Sequence, residues 1–238
     1  MWDDVWNNTK ALNGWSSLLF GLSLLGMLYG AGHYVVHLPI FPIRAMQLEA
    51  APQRAEVAQI EAAAGRAVRG NFFTVDLEAV RRTFEEVPWV RAASVRRAFP
   101  WKLEIALEEQ VALARWDSGQ LVNTHGEVFA GETSEALPKF SGQPDSAAEV
   151  TRMYRALSEQ LAPLDQKIAQ ISLSPRHAWQ LRLENGTVLE LGREQAEQRL
   201  ARYVAAYPRS LATLPTPPRY VDLRYGNGFA AYFAGGRA

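Results

Sequence analysis

The side chains that most often do chemistry are sparse in this chain of 238 residues. It has four histidines (His33, His37, His125 and His177) and no cysteine. None of the histidines falls into a metal-ligand pattern with a second ligand or a carboxylate pair, and each reads as a solvated or interfacial residue. The missing thiols remove cysteine metal sites, thiol nucleophiles and disulfides, and they suit an oxidising compartment. There is no nucleophile elbow, phosphate loop or dinucleotide fingerprint. The nearest string, GRAVRG at residues 65–70, has the wrong spacing and follows a helical pattern. Glu85 and Glu86, like Glu108 and Glu109, are neighbours that point apart on a helix or strand, so solvated faces account for them. Arg91, Arg96 and Arg97 on one strand read as charges that discourage edge pairing or face a partner. Lys+Arg and Asp+Glu number 25 each, which argues against a chain that coats nucleic acid. No catalytic, cofactor-binding or metal-binding residue is assigned, no cofactor is expected, and the chain is expected not to be an enzyme.

What remains is main-chain chemistry. Residues 222–233 carry Tyr225, Phe229, Tyr232 and Phe233, more apolar side chains than a solvated edge strand normally shows. The sequence stops soon after, so a last strand with no disordered tail is expected there. A free edge of this kind accepts another chain's strand through backbone hydrogen bonds. The competing reading is a strand paired on both sides.

The element that orients the rest is residues 15–36, WSSLLFGLSLLGMLYGAGHYVV, without Lys, Arg, Asp or Glu. It matches the length of a helix crossing a ~30 Å hydrocarbon core, with Trp15, Tyr29 and Tyr34 at headgroup depth. A cleaved signal peptide is the alternative. Lys10 barely decides the orientation; the short tail is expected inside, because a large following domain translocates largely regardless of charge.

Behind the span, the prolines of residues 38–42 break the helix. A strand is expected at 43–49. A helix follows at 53–64, with Val57, Ile60 and Ala64 inward and Gly65 closing it. A second helix starts at an Asp76 cap with the stripe Leu77, Val80, Phe84 and Val87. Strands are expected at 90–98 and 101–108, the latter with Trp101, Leu103, Ile105 and Leu107 inward. This strand–helix–helix–strand–strand order makes a small α+β unit, a three-stranded sheet with two helices.

From residue 111 short strands are expected at 111–116, 120–123 and 127–130, then a loop at 132–144. A helix at 146–161 and a strand at 168–173 follow. Asn185-Gly186 then closes a hairpin, the strongest such signal in the chain. A helix at 193–207 is stopped by Pro208, and strands are expected at 220–224 and 229–234. Tyr203 and Tyr207 read as core. The fold class is therefore α+β: one transmembrane helix, the small unit, then a mostly antiparallel β domain with two helices.

The string GNFFTVDLEAV…EEVPWVRAASVRRAFPWKLEIALEEQVALARW at residues 70–116 resembles the FtsQ/DivIB family of bacterial cell-division proteins. NTHGEVF (123–129), LSPRHAWQL (173–181), LGREQAEQRLARYVAAYP (191–208) and YVDLRY (220–225) continue the resemblance in order. It implies a cytoplasmic tail at 1–14, a transmembrane helix at 15–36, a periplasmic POTRA domain at 37–110 and a periplasmic β domain at 111–238. It also implies a single-pass protein of the cell inner membrane, enriched at the division septum. Its role would be a non-enzymatic scaffold that joins FtsB and FtsL in a trimeric complex and controls septal peptidoglycan synthesis. Other divisome membrane proteins would be met through the POTRA domain and the helix, whose Gly26 and Gly30 form a packing face. No nucleic acid or small-molecule substrate is expected. FtsB would add a strand at the end of the β domain, and the residues assigned to it are Arg176, Arg224, Tyr225, Asn227, Gly228, Phe229 and Phe233. Charge reversal at Arg176 and Arg224, or deletion of 222–238, is expected to abolish binding without unfolding the domain. Trp101 departs from the family's usual polar turn residue. The alternatives are a POTRA-bearing component of outer-membrane protein assembly and a tethered periplasmic enzyme.

Overall fold

A computed structural model describes residues 9–117 and 119–233. Most of the expected tail, Ala234 of the expected last strand and the end of the chain lie outside the described residues. The rest packs as two compact units, one ending at Glu109 and one beginning at Gln110. Each is taken by itself.

The first unit opens with helix α1 (Thr9–Val36), which starts earlier than the apolar run alone indicates. Leu12–Val36 are 25 residues of membrane-crossing composition, none of them buried inside the protein. At 1.5 Å per residue they reach about 37 Å, enough to cross with some tilt. Bare leucines along the whole length are what a lipid-facing helix needs and what a core helix would not show. Then come β1 (Ala45–Leu48), α2 (Val57–Ala67), α3 (Leu77–Glu85), β2 (Val90–Ala98) and β3 (Lys102–Glu109). The sheet order is β1-β3-β2, with β1 parallel and β2 antiparallel to β3. Ile60, Ala63, Val80, Phe84, Leu103 and Ile105 form its core. Asp76 caps α3 by accepting from the Glu78 and Ala79 amides, as its residue type requires.

Several expectations fail here for local reasons. Helix α2 begins at Val57, not at 53, because the N–H groups of Gln53, Arg54 and Ala55 all donate to the Glu109 carboxylate at 2.8–3.1 Å. Glu109 is thus a fixed part of the fold and not a solvated acid. Gly65 lies inside α2, which runs on so that Ala67 can bury under Ala63, and Val57 turns outward. Trp101 does not begin β3. It takes a left-handed φ of 60° and packs on Phe41 (5.3 Å) and Phe72 (5.5 Å). The arginines of β2 are also engaged. Arg96 pairs with Glu49 and Glu104, Arg91 with Glu108, and Arg97 donates to the carbonyls of Phe72, Phe73 and Val75.

Burial pulls the Glu109 carboxyl upward, but the three amide donors outweigh it and hold it below the ordinary glutamate range. A group depressed by folding stabilises in full above its unfolded pKa, about 4.3, and loses that contribution as pH falls through the lowered value. The urea midpoint of the chain in detergent is therefore expected to drop between pH 5 and 3, and Glu109→Gln to be less stable at pH 7 with a flatter acid limb.

The second unit contains β4 (Ala112–Trp116), β5 (Leu121–Asn123), β6 (Val128–Phe129), β7 (Lys139–Ser141), α4 (Ala147–Leu161), β8 (Ile168–Leu173), β9 (Trp179–Leu183), β10 (Val188–Gly192), α5 (Ala196–Ser210), β11 (Tyr220–Asp222) and β12 (Ala230–Tyr232). They form one sheet in the order β12-β11-β10-β9-β8-β7-β4-β5-β6. Most neighbours are antiparallel; β4–β7, β7–β8 and β10–β11 are parallel. Val150 and Leu157 of α4 and Leu200 and Tyr203 of α5 share one core with Phe140, Ile171, Leu181 and Leu189. Burial raises the Tyr203 phenol, whose hydroxyl reaches Gln166 at 3.3 Å, and Tyr207 packs beside it. At the β9–β10 turn Gly186 has φ 87° and the Asn185 side chain accepts from the Thr187 amide, as the Asn-Gly signal requires.

Strand β7 replaces part of the expected loop at 132–144. Three residues cannot display alternation, yet Phe140 is fully buried between β4 and β8. Helix α5 is shifted by three residues. Gln195, with φ 54°, starts it late, and Pro208 lies inside it and does not stop it: the proline forgoes the bond its N–H would have made to the Val204 carbonyl, and the Leu211 amide still bonds to the Tyr207 carbonyl.

Candidate functional site

Strand β11 runs parallel to β10, reached through α5, and β12 folds back antiparallel onto β11. Among the described residues β12 is therefore the outermost strand at one end of the sheet, and β6 ends the other. Val221 and Leu223 are buried, which seats β11 in the core. A deletion starting at residue 222 would thus remove core as well as edge, contrary to the expectation of a folded remnant. A cut after Tyr225 spares every fully buried residue of this core and removes only Phe229 and Ala231, which are partly buried against it.

The assigned residues separate into three groups. Arg224, Tyr225, Asn227 and Gly228 are exposed in the β11–β12 connection. Phe233 is exposed just after β12. Phe229 is turned inward, half-buried with its ring 6.1 Å from Tyr203, and anchors β12 to the core. Arg176 is exposed in the β8–β9 turn, which is closed by the His177 amide on Ser174 and the Ala178 amide on the Ser174 hydroxyl.

Arg176 and Arg224, far apart in sequence, line the same open cleft of about 440 Å³, with Arg193, Arg199, Glu190 and Glu194. Buried Asp222 fixes Arg224: its carboxylate accepts from the Arg224 amide (3.0 Å), Nε (2.9 Å) and Nη2 (2.7 Å). The guanidinium beside Asp222 holds its carboxyl below the usual aspartate range and is itself raised in return. Arg199 Nη1 donates to the Leu191 carbonyl at 2.6 Å. Gly192 makes room for both arginines: a Cβ there would stand 2.7 Å from Arg199 Nη1 and 3.1 Å from Arg224 Cγ, and its φ is 75°. Four cations against two glutamates and Asp222 leave the cleft mildly positive, suited to one carboxylate of an incoming segment. A second depression beside it holds Tyr225 and Arg202, which donates to the Gly226 carbonyl.

The residue assignments from sequence omit Asp222 and Gly192, and they leave Tyr232 as an edge aromatic without a partner role. Asp222 and Arg224 are two apart along an extended strand, hence on one face, and that spacing was the available signal. Tyr232 is exposed on β12, with its ring 5.8 Å from Tyr220. Gly192→Ala is expected to cost about 1 kcal/mol through its left-handed backbone. It should also shift Arg224, lowering both the unfolding midpoint and partner affinity; unchanged affinity would separate the cleft from binding.

Comparison with known proteins places this geometry in context. Residues 41–110 match the family model "POTRA domain, FtsQ-type", and residues 114–224 match "Cell division protein FtsQ/DivIB, C-terminal". The chain is 42% identical to cell division protein FtsQ of Nitrosospira multiformis over 95% of this chain and 98% of that one. It is 39% identical to that of Burkholderia pseudomallei over 98% and 96%. It is 34% identical to that of Bordetella pertussis over 97% and 93%.

Proposed function

Because the chain belongs to the FtsQ/DivIB family of cell-division proteins, we propose that it is a single-pass, non-enzymatic scaffold that takes a strand from FtsB onto the outer edge of β12. The cell-division role and the POTRA domain come with the family. The proposal adds the partner, the surface and the direction. Helix α1 crosses the inner membrane with its first residues in the cytoplasm, and the two units stand in the periplasm at the septum. FtsL joins the same complex, which regulates septal peptidoglycan synthesis. Other division proteins meet the POTRA domain and the Gly26–Gly30 face of α1, where an added Cβ would meet open space.

One observation carries the reading: the last strand of a large sheet pairs with β11 on one side and has no strand on its outer side among the described residues, and an arginine cleft and exposed Tyr225, Tyr232 and Phe233 stand around it. Edges left this way are normally blunted by charge, proline or a covering loop. The test is capture of FtsB and FtsL from solubilised membranes by the full chain and by a chain ending at Tyr225. Loss of FtsB in the shortened chain supports the reading. Full capture by it would end the strand-addition claim.

A further inference from the structure

Three loops of the first unit meet at the end of α1. Residues 37–44 (HLPIFPIR), 68–74 (VRGNFFT) and 99–102 (FPWK) contain no Asp or Glu. The Phe72 amide donates to the Phe41 carbonyl and the Arg44 amide to the Trp101 carbonyl, which joins the first loop to the other two. Phe41 then packs on Phe73 at 5.1 Å and on Trp101 at 5.3 Å, and Phe99 lies 5.9 Å from Trp101. This cluster is not a closed core: Phe99 is 81% exposed, Ile40 63% and Phe73 46%. Exposed Arg44 and Arg69 stand on these loops, and exposed Lys102 opens β3 directly after Trp101.

The cluster is tied to the helix end. The buried Asn71 amide donates to the Val36 carbonyl at 2.7 Å and the Leu38 carbonyl at 2.9 Å. Val36 is the last residue of the apolar helix. The aromatic cluster thus begins within one side chain's length of the point where the span ends. Bulky aromatics with adjacent cations, lacking any acid, are the composition that settles at a headgroup boundary, about 5–10 Å into the interface.

We propose that this aromatic lip seats in the headgroup zone of the bilayer that α1 crosses, with Arg44, Arg69 and Lys102 against anionic headgroups, and so sets how the first unit stands on the membrane. The proposal rests on the reading of α1 as a membrane span. It assigns a lipid-facing surface, distinct from the strand-adding edge of the second unit.

The chain has no cysteine, so a single one can be labelled without background. Full-length Phe99→Cys carrying an environment-sensitive fluorophore is placed in vesicles of phosphatidylcholine and phosphatidylglycerol containing a headgroup-depth quencher. Leu25→Cys marks the span. Glu86→Cys lies at the C-terminus of α3, four residues before Val90, which opens β2 roughly 26 Å of strand away from Ala98. The label at 99 is expected to be quenched from headgroup depth and the label at 86 to remain as in water. A label at Pro42→Cys is expected to lose its quenching when Phe99→Asp is added. Equal exposure of 99 and 86, with a mid-bilayer quencher reaching 25, overturns the docking while leaving the span intact. Failure of that quencher to reach 25 removes the span and the docking together.

Discussion

Proline at position 231 is expected to abolish binding of the periplasmic segment of FtsB while the second unit keeps its fold. Ala231 is the central residue of β12, paired with Val221. The Tyr232 carbonyl accepts from the Arg219 amide and so faces β11, which leaves the Ala231 N–H on the outer side; proline removes that donor from the edge and spares the pairing with β11. A strand added at this edge would form three or four backbone bonds, each worth about 1 kcal/mol net, so the loss should be on the order of 100-fold in affinity. The fold should survive, because the core residues Val221, Leu223 and Leu189 lie inside β12 and not on it. Arg176→Glu with Arg224→Glu should be comparably damaging by a different route, since the reversed cleft would repel the carboxylate it is built to receive. Titration of the full chain with an FtsB periplasmic peptide reads both, with circular dichroism of each variant as the folding check. Affinity within about twofold of the parent in the proline variant would contradict strand addition.

Asn71→Ala is expected to destabilise the first unit by about 3 kcal/mol. The side chain is 7% exposed and fully used. Its oxygen accepts from the Phe73 amide, the Thr74 amide and the Thr74 hydroxyl, while its nitrogen donates to Val36 and Leu38. Alanine strands two amides and two carbonyls in a place where the backbone has no other partner to offer them. Unfolding of the chain in detergent, followed by urea, should show the loss, and exchange of the Phe73 and Thr74 amides should quicken by about two orders of magnitude. A loss below about 1 kcal/mol would mean that water replaces the side chain there.

The parts legible in the sequence are those whose signal is local and repeated. Trp179, Leu181 and Leu183 alternate in the text and are all buried in β9. Val80 and Phe84 recur at helical spacing behind a capping Asp76 and are buried in α3. The parts that were not legible depend on a distant partner. β7 has three residues and is a strand only because β4 and β8 flank it. The start of α2 is not local information: Glu109, some 55 positions away, binds the amides that would otherwise open the helix. The site shows the same division. The YVDLRY string pointed to Arg224 and Tyr225, but Arg176 reaches the same cleft only through the sheet order β11-β10-β9-β8. Phe229 was counted with the exposed aromatics, and only packing on Tyr203 distinguishes it from Tyr232 and Phe233.

Site-specific photo-crosslinking in dividing cells distinguishes the two ends of the large sheet directly. A crosslinking amino acid is placed at Tyr232, on β12, or at Phe129, on β6 at the opposite end. An FtsB adduct is expected from 232, lost when Ala231→Pro is added, and none is expected from 129. An adduct from 129 with none from 232 would contradict strand addition at β12.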